Sequence, residues 1–243
     1  MGASDARVVT PRRPKWRAYL RLSRLSNLPT VWTNVLAGML AARVVFDWHA
    51  FANIAVAASL FYTAGMFLND AFDVAFDAER RPDRPIPSGD ASRREVFGVG
   101  FLLLFVAEAW LAASGFADAL VWGVALATAI LYYNYRHKRD PLGPMVMGLC
   151  RGLVYCVAAA AISGGVGLPV LVAAAVLTAY VVGLTWVAKR AGPHAGWLIP
   201  QLIAGISIVD AAVGLANGGG ALALVAVAGF VLTLAFQRLV PGT

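Results

Sequence analysis

Charge is what this sequence has least of. Only 14% of its 243 residues are Asp, Glu, Lys or Arg, against about a quarter in an ordinary soluble domain, which excludes a water-solvated globular surface. Cysteine is scarce as well. Cys150 and Cys156 are the two present, and a six-residue helical separation turns them to different faces, so a disulfide framework and an intrahelical bridge are both excluded. The three histidines, His49, His137 and His194, are scattered and carry no zinc-site spacing. No acid occurs between Asp140 and Asp210. The net charge of +7 sits in short clusters between apolar stretches, with no continuous basic groove interleaved with aromatics, so nucleic acid is excluded as a partner.

What fills the chain is apolar residue, 60% of the total, with a mean hydropathy of +0.71. Stretches of membrane-spanning length run over about 28 to 46, 51 to 69, 96 to 114, 117 to 135, 144 to 162, 168 to 188, 196 to 216 and 220 to 238. They predict an all-α, polytopic transmembrane bundle of eight helices. Residues 1–24 carry seven arginines and lysines ahead of the first apolar run and read as a basic cytoplasmic arm, not a cleavable signal. Residues 25–240 then form a single membrane domain. Apart from Arg43, positive charge alternates loop by loop. Arg80, Arg81, Arg84, Arg93 and Arg94 fall in one loop, Arg136, Lys138 and Arg139 in another, and Lys189 and Arg190 in a third. That alternation places both termini in the cytoplasm of an inner-membrane protein.

Acid, where present, is concentrated. Seven of the 13 acidic residues lie between positions 70 and 95: Asp70, Asp73, Asp77, Glu79, Asp83, Asp90 and Glu95. If the second helix continues past the membrane boundary, the spacing puts Asn69, Asp70, Asp73 and Asp77 on one face. Like charges so arranged repel, and the repulsion calls for a cation. Carboxylates without His or Cys suit Mg²⁺, which takes one or two of them together with substrate phosphates. Arg80, Arg81 and Arg84 offer further anion contacts. The alternative is a solvated interfacial loop balanced by those arginines.

Residues 69 to 77, Asn69, Asp70, Asp73 and Asp77 among them, resemble the NDxxDxxxD signature of the UbiA superfamily of intramembrane prenyltransferases. Arg84, Pro85, Pro87, Ser88 and Gly89 resemble that family's RPxPSG-type loop. The similarity continues at Arg24, Asn27 and Asn34, at Tyr132, Tyr133, Asn134 and Tyr135 with Lys138 and Arg139, and at Gly148, Arg151 and Gly152. The resemblance implies a helical bundle with a central cavity open toward the cytoplasmic side. It further implies Mg²⁺-dependent transfer of a prenyl group from a prenyl diphosphate to a small acceptor, most often aromatic, with the prenyl tail lying among the helices and membrane lipid around them. Asp70, Asp73 and Asp77 are the expected metal ligands. Asn34, Asn69, Arg84, Lys138, Arg139, Arg151 and Lys189 are the expected substrate contacts.

The sequence also departs from the family. A second Asp-rich motif belongs after the sixth helix, but positions 183 to 190 read Gly-Leu-Thr-Trp-Val-Ala-Lys-Arg, and a usual ninth helix has no counterpart. Lys189 supplies directly the charge that a second metal would bring, or it merely marks a helix end. Arg151, inside the fifth span, should face the bundle interior with an anionic partner. Asn34 either meets the reacting centre or joins two helices. Glu108 and Asp210 are expected in structural or interfacial roles. A non-catalytic prenyl-lipid binding or transport protein on the same fold is the rival reading. A CDP-alcohol phosphotransferase is excluded, because Asp73 is followed by Val74 where that class needs Asp-Gly-x-x-Ala-Arg.

Overall fold

The structure, a computed structural model, describes residues 14–136, 140–190 and 196–239. These residues are all-helical. In chain order the α-helices are α1 (Lys15–Ser23), α2 (Leu28–Ala41), α3 (Trp48–Phe72), α4 (Val74–Arg80), α5 (Arg93–Ala113), α6 (Leu120–Arg136), α7 (Gly143–Ser163), α8 (Leu168–Arg190), α9 (Leu198–Ala204), α10 (Ile206–Ala216) and α11 (Gly220–Leu239). Short 3₁₀ turns lead into α2 and α6. Among the described residues, seven helical stretches are long and apolar enough to cross a membrane, α9 and α10 counting together as one. The chain is an integral membrane protein.

Every apolar stretch read from the sequence is a helix or a helix pair, with one difference at the start. The first was expected to reach residue 46, but α2 stops at Ala41. Arg43 turns the chain in the left-handed region at φ 57°. Asp47 then caps α3, its carboxylate accepting from the His49 amide at 2.8 Å. At 14 residues, α2 is about 21 Å long, short of the roughly 30 Å hydrocarbon layer. Twelve of those residues are buried and only Trp32 is exposed, so this helix is walled by protein over most of its surface and its backbone ends need not meet lipid.

The centre of the bundle is α2 against α7, with α3, α10 and α11 also packed on α2 and α8 packed on α7. Close approach sets this centre. A Cβ at Gly38 would stand 2.7 Å from the Tyr155 Cα and 2.9 Å from its carbonyl oxygen, so only glycine lets α2 lie on the α7 backbone. The seventh apolar stretch is divided between α9 and α10 at Gly205, where the Tyr180 hydroxyl occupies the place of a Cβ.

At one end, α1 lies against α3. Leu22 is buried, the Tyr19 ring meets Phe67 edge-on at 5.5 Å, and the Tyr19 hydroxyl donates to Glu95 at 2.7 Å. Burial and that carboxylate push the Tyr19 hydroxyl up to about 12. Arg21 pairs with Asp83 at 2.8 Å, tying α1 to the chain between α4 and α5.

Candidate active site

Helices α2, α3, α6, α7 and α8 line a cavity of about 490 Å³, completed by α4, α9 and the start of α10. Its wall is two-natured. Val31, Phe61, Leu126, Ile130, Val154 and Val181 make an apolar chamber, while Arg24, Asn69, Asp73, Asp77, Arg81 and Arg84 gather as a polar end.

The polar end is built by a bend. Helix α3 ends at Phe72 and Asp73 caps both it and α4. The helical bonds nevertheless run on, with the Asp73 amide donating to the Asn69 carbonyl at 3.0 Å and the Asp77 amide to the Asp73 carbonyl at 2.9 Å. The expected continuation of the second helix is therefore present. Asn69, Asp73 and Asp77, spaced by four, share the cavity wall.

Asp70 does not join them. It is buried behind the wall, where Oδ1 accepts from Arg24 Nη2 at 3.0 Å and from Arg84 Nη1 at 2.9 Å. The same Arg84 nitrogen donates to Asp77 Oδ2 at 3.1 Å. Part of the cation that the crowded acids require is thus supplied by the chain itself. Among the described residues no three His, Cys, Asp or Glu side chains converge as a metal-binding group, so the expected trio of Asp70, Asp73 and Asp77 is not a cluster in this geometry. Asp73 and Asp77 on one wall still match the donor set of Mg²⁺, which takes one or two carboxylates and completes its shell with phosphate and water.

Asn69 is held from α6: its Nδ2 donates to Asn134 Oδ1 at 3.2 Å, and Asn134 Nδ2 donates to the Gly65 carbonyl at 3.2 Å. Arg151 lines the cavity from α7, its guanidinium 5.6 Å from the centre of the Tyr62 ring. Its Nη1 donates to Asn34 Oδ1 at 2.8 Å. Asn34 is fully buried in α2 and is not on the wall. Its Nδ2 donates to both carboxylate oxygens of Asp210, each at 2.9 Å. Asp210 also accepts from the hydroxyls of Thr33 and Tyr155. The anionic partner expected for Arg151 thus stands one residue removed, behind an amide.

The family model for UbiA prenyltransferases matches residues 30–241. The chain belongs to the UbiA prenyltransferase family. It is 36% identical over 135 residues to a digeranylgeranylglyceryl phosphate synthase of Methanopyrus kandleri, covering 54% of this chain and 48% of that protein. It is 28% identical over 179 residues to a 4-hydroxybenzoate octaprenyltransferase of Paracidovorax citrulli, covering 70% of this chain and 60% of that one. The chain spans about half the length of the curated relatives it matches. Among solved structures, a UbiA homologue from Aeropyrum pernix K1 superposes with a TM-score of 0.55 at 20% identity, covering 86% of this chain and 94% of that one. A structure described as giving insights into digeranylgeranylglyceryl phosphate synthase in membranes reaches a TM-score of 0.60 at 18% identity, over 93% of this chain and 87% of that one. The two structures establish the shared fold.

Within this UbiA-family cavity the remaining expected contacts separate. Arg84 and Asn69 are on the wall with Asp73 and Asp77. Lys138 and Arg139 lie outside the described residues. Lys189 is in the last turn of α8 and exposed. It does not line the cavity; Thr185, one turn earlier on α8, does. Arg190 lies 3.6 Å over the Trp186 ring. The Glu108 carboxylate is packed on Gly123 of α6, both oxygens buried with no hydrogen-bond partner among the described residues. Of the structural or interfacial role expected for Asp210, the interfacial half does not describe its place, since it is 1% exposed and held by Asn34, Thr33 and Tyr155. Nothing in the sequence marks its tie to Arg151, because the two are on separate helices and only packing brings them near.

Proposed function

We propose that this chain transfers a prenyl group from a prenyl diphosphate to a small acceptor inside the membrane, with Mg²⁺ as cofactor. The observation that carries the reading is the cavity itself, in which one continuous volume joins an acidic and basic end to an apolar chamber. Asp73 and Asp77 would hold Mg²⁺, which when bound would neutralise the diphosphate and ease its departure. Arg84, already beside Asp77, and Arg81 would add direct donors to the phosphate oxygens. Asn69, clamped by Asn134, would offer a fixed amide at the same place. Val31, Phe61, Leu126, Ile130 and Val154 would sheathe the prenyl tail and keep water from the developing allylic cation, while the Tyr62 and Tyr133 rings on the same wall would offer it π-faces.

The relative named for 4-hydroxybenzoate supports a small aromatic acceptor, and the one named for digeranylgeranylglyceryl phosphate supports a phosphate-bearing lipid in its place. The loop charges support a cytoplasmic position for both termini and for the acidic end. One observation favours a second reading: α8 closes the cavity with Leu184, Thr185 and Ala188, and no carboxylate, which suits a protein that binds prenyl diphosphate without turning it over. Purified protein in nanodiscs, given Mg²⁺, a prenyl diphosphate and a panel of phenolic and phosphate-bearing acceptors, decides between them. Pyrophosphate release with a prenylated product by mass spectrometry is expected. Tight binding with no product would leave the binding reading in its place.

A further inference from the structure

Three of the four arginines on the cavity wall, Arg24, Arg84 and Arg151, meet their countercharge in two different ways. Arg24 and Arg84 touch carboxylates directly, at 3.0 Å and 2.9 Å from Asp70. Arg151 touches no carboxylate among the described residues. Its contact is the Asn34 amide at 2.8 Å, and Asp210 stands on the far side of that amide. Arg151 is the ninth residue of α7, so it sits about 12 Å along the helix from its start, in the apolar part of the bundle where an unbalanced guanidinium is costly.

The relay meets two requirements that a direct ion pair cannot meet together. Asp210 balances the charge, and its own oxygens are saturated by Asn34, Thr33 and Tyr155, so the acid is not left unpaired when the arginine is engaged elsewhere. The interposed amide takes one guanidinium nitrogen and leaves the other donors to the cavity, while fixing the side chain over the Tyr62 ring. The result is a preorganised cation with spare donors, beside an α8 wall of Val181, Leu184, Thr185 and Ala188 that carries no charged side chain.

We propose that Asp210 is a positioning residue. Acting through Asn34, it holds Arg151 as the fixed cation that receives the diphosphate where α8 supplies no metal-binding acid. This rests on the prenyl diphosphate reading given above.

The test is a double-mutant cycle on the full chain in nanodiscs. Geranylgeranyl diphosphate with Mg²⁺ is the probe, geranylgeraniol is its uncharged control, and inorganic pyrophosphate is the tail-free anion. Arg151→Gln and Asp210→Asn should each weaken the diphosphate about tenfold. The double variant should bind no more weakly than Arg151→Gln, because a residue acting only through Arg151 has nothing left to position. Geranylgeraniol should stay within about twofold throughout, which a loss of folding would not permit. Losses that multiply in the double variant overturn the proposal, as does wild-type affinity in Asp210→Asn. If Asp210→Asn does not fold, Asn34→Leu breaks the same relay and completes the same cycle. Wild-type protein that binds pyrophosphate but not the prenyl diphosphate defeats the transferase reading and leaves the cycle readable with pyrophosphate. Binding of neither defeats both.

Discussion

Arg84 closes on Asp70 across fourteen residues of chain, Nη1 to Oδ1 at 2.9 Å, and fastens the loop after α4 to the end of α3. Because the same nitrogen also reaches Asp77 on the cavity wall, the loop, the buried acid and the wall acid move as one unit. Removing Asp70 leaves Arg84 with Asp77 alone and takes from Arg24 the carboxylate it pairs with. Asp70→Asn should therefore lower stability by about 3 kcal/mol, seen as an early thermal transition in detergent. An unchanged transition would show that Arg24 and Arg84 have solvent or lipid headgroups to turn to.

Asp73 should respond in the opposite manner. It lines the cavity, so Asp73→Asn is expected to leave the thermal transition in place and to abolish the Mg²⁺-dependent part of prenyl diphosphate binding. Titrations with Mg²⁺ and with EDTA separate that part from binding by the arginines alone. Full Mg²⁺ dependence in the variant would remove Asp73 from the metal site.

Helix α2 can lie on α7 only because position 38 has no side chain. Gly38→Ala drives a methyl group onto the Tyr155 backbone, which cannot rotate away, and should cost about 1 to 3 kcal/mol. Gly98→Ala, with nothing within 4 Å of the added carbon, is the matched control and should be neutral or slightly stabilising. Equal melting of the two variants would mean that the helices part without cost.

Lys189 discriminates between position in the sequence and position in space. Its charge suits a diphosphate, but it is exposed and off the cavity wall. Lys189→Ala is expected to keep diphosphate affinity within about twofold, where a direct contact would cost tenfold or more. A tenfold loss specific to the diphosphate, with prenyl alcohol binding intact, would restore it as a contact.

Topology follows from loop charge. Reporter fusions at the two termini should both read cytoplasmic. A periplasmic signal from either would reverse the assignment of the acidic end.

Much of this molecule was legible along the chain because it is local. Hydropathy alone marks the helices, since a span of about 20 apolar residues has few other stable states. The four-residue spacing of Asn69, Asp73 and Asp77 puts them on one wall because the helical period carries across the bend at Asp73. The length of α2 was less accessible: hydropathy does not register the left-handed turn at Arg43 or the protein wall that makes a short helix tolerable.

Charge pairing was decided only by the tertiary structure. Asp70 belongs by sequence with Asp73 and Asp77, yet it is turned to Arg24 and Arg84 and buried. Asn34 and Asp210 are 176 residues apart and in hydrogen-bond contact, and Lys189, which the spacing of charges singled out, is left outside the cavity. A helix's own period fixes which of its side chains share a face. Which face meets which neighbour depends on how closely backbones approach, through small residues such as Gly38, and that is a property of the packed bundle alone.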